Sequence, residues 1–433
     1  MLSTVQIPHI NANRLANSYK LAPRTWRHSF HQICSRVASF PPPLTHYFIQ
    51  MYTKPGDMVL DVFSGTGTAP LQACLDGRVG IGNDVSPEAH MLTAAKVYPP
   101  APAEFFEYLI RTRSKLNSSE KIDVDDNELY FGSDFLRQKL NLRLYYHRET
   151  LAQLLKLRSI VLEEAASTSG TDLRNARFCL ALVLGILHGD RPESLSLPLD
   201  RSKSLTTNHI QKMQRDYPGK YETENKDVIG CIALKAEKTF RHEGPRVRGR
   251  AFMEDAMKFS RGIKAKLVIT SPPYYNAHTY AYDNRHRLWF LGYDYQKIQR
   301  GMFQISNRSE YSSYLIRCLK NIESMLVDDS ACVLVVGDVE MGSGSGREIV
   351  ETGEQIASEW QDLGNTEMEV ARIIVDPIPL KSRRYIHVPI TKGIKQERIV
   401  IFHKGRPNAK DSWIDWTQRP SKQAGPNWAS LYQ

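Results

Sequence analysis

An apolar run that ends on two prolines constrains this chain more than any other feature. Leu267-Val268-Ile269-Thr270-Ser271 leads into Pro272-Pro273-Tyr274-Tyr275. A continuous run of this kind reads as a strand buried on both faces, and so as part of a parallel sheet. The prolines fix φ and remove two N–H donors, so the chain leaves the sheet in a stiff, extended turn. The carbonyls of Ser271 and Pro272 are then free to point outward with no intrachain partner. A flat ring, Tyr274, stands two residues on. Free acceptors beside an aromatic platform suit a planar base that carries an exocyclic amine. A proline-rich turn with a core tyrosine fits this segment equally well, so function needs a second landmark.

Val59-Leu60-Asp61-Val62-Phe63-Ser64-Gly65-Thr66-Gly67-Thr68 is that landmark: a short apolar strand, then a glycine-rich turn. A helix over 69–76 is predicted to follow. Gly77-Arg78-Val79-Gly80-Ile81-Gly82-Asn83-Asp84 then reads as a second strand ending in an acid. Glycine lets backbone approach a ligand closely at a strand edge. An acid about 20 residues beyond such a turn is the usual partner of ribose hydroxyls in nucleotide-type α/β folds. The third glycine of the dinucleotide fingerprint is missing, because Ala69 and Pro70 follow Gly67-Thr68. That argues against NAD or FAD. The chain has no Gly-x-x-x-x-Gly-Lys-Ser/Thr string, which argues against a phosphate-cradling loop. Gly342-Ser343-Gly344-Ser345-Gly346, before Arg347, reads as a flexible loop.

Together these segments resemble the bacterial and archaeal DNA amino-methyltransferases that use S-adenosylmethionine, above all the cytosine-N4 type of restriction–modification systems. Asp61 to Thr68 matches the cofactor motif, usually Asp-Pro-Phe-x-Gly-x-Gly-Thr, with Val62 in place of proline. Thr270-Ser271-Pro272-Pro273-Tyr274 matches the catalytic motif in its Ser-Pro-Pro-Tyr form. Phe40-Pro41-Pro42-Pro43-Leu44, a helix over 45–52, and Lys54-Pro55-Gly56-Asp57 resemble the N-terminal cofactor-side motif. Glu254-Asp255-Ala256 resembles the acid that faces the adenine ring.

The resemblance implies a Rossmann-like class I methyltransferase fold: α/β, a mostly parallel doubly wound sheet with an antiparallel last strand, plus a helix-rich insertion. It implies S-adenosylmethionine as cosubstrate and no metal. Double-stranded DNA is the implied partner, with a cognate restriction endonuclease acting on the same site without a stable complex. It puts Ser271, Pro272, Pro273 and Tyr274 at the reacting base. Around the cofactor it puts Asp61, Phe63, Gly65, Gly67, Thr68, Asp84, Asp255 and Phe40. Asp61 and Gly65 fall near the methionine moiety, Phe63 against the adenosyl group, Asp84 at the ribose and Asp255 at the adenine amine. In this family the Ser form goes mostly with cytosine and the Asp form mostly with adenine. Chemistry alone does not choose, since both bases present an amine beside a ring acceptor. Adenine-N6 methylation therefore stays open, and RNA methylation stands further off. A non-catalytic nucleic-acid-binding protein on this scaffold is a different class. Intact Gly65, Gly67, Ser271 and Tyr274 argue against it.

The length of 433 residues allows one large catalytic domain with an insertion. The net charge of +10 suits a protein that meets a polyanion, although basic soluble enzymes share it. Cys34, Cys74, Cys179, Cys231, Cys318 and Cys332 are scattered with no Cys-x-x-Cys, so neither a zinc site nor a disulfide framework is indicated. No cysteine follows a proline, so the nucleophile of ring-carbon methylation is missing. Residues 1–10 lack a signal pattern, and the longest apolar run, 178–187, is too short to span a bilayer. A soluble, cytoplasmic prokaryotic protein is expected.

The chain divides into a cofactor-motif part of the methyltransferase domain (1–99), a helical insertion (100–245), the catalytic-motif part (246–405) and a tail (406–433). Three- and four-residue apolar spacing predicts helices over 104–116, 144–165 and 173–187. Beyond 246, helices are predicted over 310–326 and 346–363, a strand over 331–338, and a closing strand pair over 368–375 and 397–403. The insertion is the candidate target-recognition region. Its donor-rich loop, His188 to Pro198, precedes Arg201, Lys203, Asn208, His209, Lys212 and Arg215. Lysine and arginine there suit phosphates, and Asn208 or an arginine suits a base edge. A solvated helix face gives the same pattern, so this expectation attaches to the region. The tail carries Trp413, Trp416 and Trp428, and both loose packing and disorder fit it.

Overall fold

The apolar runs fold as the strands they predict. The computed structural model describes residues 7–15, 18–23, 26–36, 41–118, 120, 124, 141–199, 204–274, 280–301, 308–341, 348–377, 396–409 and 414–417. Its strands are β1 (His9–Asn11), β2 (Met58–Asp61), β3 (Val79–Asn83), β4 (Arg250–Phe252), β5 (Ala265–Thr270), β6 (Leu326–Gly337), β7 (Val339–Met341), β8 (Glu348–Val350), β9 (Met368–Pro377) and β10 (Gln396–Lys404). Eight of them form one sheet in the order β1-β9-β10-β6-β5-β2-β3-β4, and β7 pairs with β8. The strands β4, β3, β2, β5 and β6 are parallel, whereas β10 runs antiparallel to both β6 and β9. This is the expected doubly wound sheet with an antiparallel last strand. The chain builds outward from β2 through β3 to β4, then resumes on the other side of β2 with β5. The switch point between β2 and β5 is where such sheets open a ligand crevice, beyond the carboxyl ends of the strands.

Alternation along the strands fills both faces. Leu60, Val268 and Leu334 join one core with Phe259, Leu319 and Trp360. Val59, Leu267, Ile269 and Val333 join the other, with Leu44 and Phe48 of α1 (Pro42–Tyr52) and Ala69 and Ala73 of α2 (Thr68–Leu75). The helix α1 begins at Pro42, three residues before the expected start, because proline in the first turn lacks a donor that has no partner there anyway. The helix α3 (Pro87–Val97) follows β3.

Between β3 and β4 lie α4 (Pro102–Ser118), α5 (Arg148–Ser167), α6 (Gly170–Ile186), α7 (Thr207–Asp216) and α8 (Val228–Thr239). Their apolar faces form a third core that also takes in Phe30, Leu71, Leu92 and Ala95, so the helices pack directly on α2 and α3. The donor-rich loop departs from expectation. His188, Glu193, Ser194 and Ser196 are buried, because Leu195, Leu197 and Leu199 draw the segment inward. Asp190 and Arg191 are exposed.

After β5 come α9 (Tyr280–Asp283), α10 (Arg285–Phe290), α11 (Tyr295–Gly301), α12 (Arg308–Met325) and, beyond β8, α13 (Thr352–Asp362). The helix predicted over 346–363 starts only at Thr352. Ile349 and Val350 are β-branched and pair in β8 instead. The strand β1 is polar and three residues long, so it carried no periodic signal, yet it lies parallel to β9. In the tail, Ile414 and Trp416 are buried, with Trp416 5.2 Å from Trp26. Phe40, Arg201, Lys203, Tyr275, the Gly342–Gly346 loop, Trp413 and Trp428 lie outside the described residues. Among the described residues no helix is long and apolar enough to cross a membrane.

Candidate active site

Neighbouring strands β2 and β5 end at the same edge of the sheet, with Val59 opposite Leu267 and Leu60 opposite Val268. There Thr270 Oγ1 donates to Asp61 Oδ1 at 2.6 Å. The Phe63 amide reaches the same two oxygens, at 3.1 Å from Asp61 Oδ1 and 3.2 Å from Thr270 Oγ1. The glycine turn and the proline turn thus leave the sheet side by side, tied by a hydrogen bond between residues far apart in sequence.

Asp61 is 1% exposed. Burial pushes its carboxyl up to about 7, Asp84 adds to the rise, and the bonds from Thr270 and Phe63 oppose it. A raised acid favours the protonated folded state. Its penalty is absent below the ordinary aspartate range, grows as pH rises from about 4 to about 7, and is complete above that. Asp61→Asn removes the titration and keeps an acceptor oxygen. In urea denaturation the stability of Asp61→Asn relative to wild type should improve by about 2–3 kcal/mol between pH 5 and pH 8. A pH-independent difference would show that the carboxyl does not titrate there.

The glycine turn is held from three sides. Ser64 N donates to Asn83 O at 2.9 Å and Gly67 N to Ser64 O at 2.7 Å. Gly67 has φ +75°, and a Cβ on it would lie 2.8 Å from Thr93 Oγ1 and 2.9 Å from Thr93 Cα. Thr68 opens α2 and is buried, its hydroxyl 3.4 Å from that of Thr66. Asp84 closes the turn: Oδ2 accepts from Gly65 N and Oδ1 from Ser86 N, both at 2.9 Å. Asp84 is half-buried, and each of its oxygens keeps a further lone pair. Asn83, next to it, is fully buried. Its amide bonds Val62 O and Glu254 O and accepts from Glu254 N, which ties the ends of β2, β3 and β4. Asp84 rather than Asn83 is therefore the accessible side chain at the end of β3.

Asp255 follows β4, half-buried, with Oδ1 accepting from Met257 N at 2.9 Å. Val85 and Met253, in the turns after β3 and β4, expose apolar side chains. Phe63 is half-buried, its ring 6.3 Å from that of Tyr314. Arg36, with a side chain only 8% exposed, lies 3.4 Å from the Glu88 carboxylate. Its guanidinium stands 5.5 Å from the Tyr280 ring centroid, and its Nη1 would be 3.8 Å from a Cβ on Gly65. Burial works against the charge on Arg36, but Glu88 and Asp84 outweigh it and raise its pKa.

On the proline turn, Ser271, Pro273 and Tyr274 are half-buried and Pro272 is buried. Ser271 Oγ donates to Tyr274 Oη at 3.5 Å, and Tyr274 Oη donates to Glu397 Oε1 at 3.0 Å. Tyr311 Oη donates to the Pro273 carbonyl at 2.7 Å. The Tyr280 hydroxyl meets the Tyr274 backbone amide.

One edge of the sheet thus gathers Asp61, Phe63, Gly65, Gly67, Thr68 and Asp84 with Ser271, Pro272, Pro273 and Tyr274, while Asp255 stands beyond β4. The sequence missed Arg36 and Glu397. A lone arginine before the proline-rich helix start carries no pattern, and Glu397 is 123 residues from Tyr274, a separation no local motif spans.

Residues 7–95, which hold α1, the glycine turn and β3, match the DNA methylase family (N6_N4_Mtase). A stretch of 118 residues is 30% identical to the Type II methyltransferase M.MthZI of Methanothermobacter thermautotrophicus, covering 26% of this chain and 32% of that protein. A stretch of 126 residues is 28% identical to the Type II methyltransferase M.MjaII of Methanocaldococcus jannaschii, covering 29% and 23%. The chain spans about a third or less of the length of these curated relatives. Among solved structures, TrmN from Thermus thermophilus is similar at TM-score 0.30 and 8% identity, over 87% of this chain and 52% of that one. The strand order, mostly parallel with β10 antiparallel to its neighbours, is the doubly wound α/β arrangement expected from the sequence.

Proposed function

We propose that the chain is a site-specific DNA methyltransferase that moves a methyl group from S-adenosylmethionine to the exocyclic N4 amine of cytosine in duplex DNA. The observation that carries this reading is the Thr270–Asp61 hydrogen bond, which joins the two motif turns at the switch point of the sheet. The match of residues 7–95 to the DNA methylase family supports it.

The cofactor-side residues fit the group. The glycine turn is a cradle with no room for a Cβ at Gly67, and half-buried acids stand beyond β3 and β4. When bound, S-adenosylmethionine supplies a methyl carbon already activated by its sulfonium. Asp84 would receive the ribose hydroxyls and Asp255 the adenine amine, with Val85, Met253 and Phe63 as apolar walls. Gly65, Gly67 and Thr68 shape the turn over Asp61 at the methionine end, and Arg36 offers a cation to the methionine carboxylate. Phe40 is assigned to the cofactor from its motif alone.

An exocyclic amine is a poor nucleophile because its lone pair is delocalised into the ring. Ser271 Oγ and the Pro272 carbonyl would accept its two N–H bonds, draw the nitrogen toward tetrahedral geometry and favour its developing positive charge. Stacking on the Tyr274 ring is worth roughly 1–3 kcal/mol, against a cost of a few kcal/mol for extruding the base from the duplex. The amine lone pair would form the N–C bond as the pair of the C–S bond went to sulfur, and the nitrogen would give one proton to water.

The insertion, 100–245, would read the target sequence. Its α7 exposes Asn208, Lys212 and Arg215 to solvent. A restriction endonuclease acting on the same sequence without a stable complex completes the reading. Single-turnover transfer of a labelled methyl group to duplex DNA, with the product base identified, tests it. Label on cytosine N4 is the expected result. Label on adenine N6 would leave the enzyme class standing and overturn the choice of base.

A further inference from the structure

The proline turn does not end at Tyr274. Its hydroxyl donates to Glu397, the second residue of β10, and accepts from Ser271 at 3.5 Å, the outer edge of hydrogen-bonding distance. The carboxylate of Glu397 is itself held in a set environment. Asp376 lies directly opposite it on β9. Asp376 is bound by the Tyr19 hydroxyl at 2.6 Å and by the Lys20 ammonium. Glu397 Oε1 is the acceptor of this bond, so the Tyr274 hydroxyl is a donor toward β10. The Tyr274 oxygen then presents a lone pair to Ser271, and the Ser271 proton points along the chain. What remains of Ser271 Oγ on the cleft side is lone pairs.

We propose that Glu397 is a positioning residue for methyl transfer, acting through Tyr274 to orient the Ser271 hydroxyl as an acceptor toward the target amine. This rests on the amine-methylation reading above. A serine hydroxyl is ambivalent, and without direction it donates as readily as it accepts. A serine that donated toward the amine would compete for the lone pair that must attack. The half-buried acceptor on β10 removes that ambiguity before the base arrives.

The test uses the full-length chain with labelled S-adenosylmethionine and duplex DNA. Methyl transfer by wild type is measured first. Its absence would sink the functional reading itself and is distinguishable from every outcome below. Glu397→Leu removes the acceptor. Its kcat should fall at least about tenfold, as for loss of one preorganised polar contact, with the KM for DNA and the Kd for cofactor near wild type. Glu397→Gln keeps an acceptor oxygen and should restore most of kcat, a rescue that a need for negative charge would not permit. Tyr274→Phe keeps the stacking ring and removes the hydroxyl. It should reproduce the Glu397→Leu loss, and the double variant Tyr274→Phe with Glu397→Leu should be no worse than either alone. Full activity in Glu397→Leu, equal failure of Leu and Gln, or multiplicative losses in the double variant would each overturn the proposal. If Glu397→Leu does not fold, shown by lost cofactor binding, Tyr274→Phe decides: an undiminished kcat overturns it.

Discussion

Ser271→Ala should lower turnover roughly 10–1000-fold, the range for removing one preorganised polar partner of a transition state, while cofactor affinity should stay at the wild-type level. The reasoning is geometric. Ser271 is the first residue past β5, and its neighbour Thr270 is already engaged with Asp61 and Phe63 beneath the glycine turn. Ser271 is thus held at the carboxyl end of β5 beside the switch point of the sheet, yet none of its described hydrogen bonds reaches a cofactor-side residue. Loss of its hydroxyl should appear in kcat and leave calorimetric titration with S-adenosylmethionine unchanged. Unaltered turnover would remove Ser271 from the mechanism. A parallel loss of cofactor affinity would mean that the substitution disturbed the turn as a whole.

Gly67→Ala acts on the other half of the site. The backbone at Gly67 is left-handed, a conformation that costs an L-residue about 1–2 kcal/mol. The new Cβ would also overlap the backbone of Thr93 at 2.9 Å. The turn can relieve that overlap only by lifting off α3, which displaces Gly65 from Asp84. Cofactor affinity should fall at least about 100-fold, equivalent to about 2.7 kcal/mol, and the melting temperature should drop. Gly219→Ala separates the two causes. Gly219 has φ +78° with nothing within 4 Å of its would-be Cβ. That variant should lose about 1 kcal/mol of stability and bind cofactor normally. Equal binding losses in the two variants would show that the Gly67 effect is global strain rather than a deformed cradle.

The parallel sheet was legible because its strands announce themselves. Leu267 to Thr270 and Val59 to Asp61 are continuous apolar runs closed by breakers, and each reading fell within two residues of the strand found. The insertion helices were legible in their apolar spacing where one face is buried, as in α4, α5 and α6. Polar α7 buries only Ile210 and gave no such signal. The loop after His188 misled because its serines and charges outnumber its leucines in the eye, whereas Leu195, Leu197 and Leu199 decide where it lies. In the site, motif residues were readable because their spacing is local. Arg36 and Glu397 were not, since each meets a motif turn through tertiary contacts that join distant segments. Asp61 was readable as a motif residue, but not as the carboxyl that ties two turns together, because its partner Thr270 is 209 residues away.

The most direct test incubates purified protein with methyl-labelled S-adenosylmethionine and unmethylated duplex DNA, then hydrolyses the DNA and identifies the labelled base, with Ser271→Ala alongside. The account predicts label on N4-methylcytosine from wild type within one turnover and a deeply reduced yield from the variant. Tight binding of both cofactor and DNA with no label transferred by wild type would contradict it.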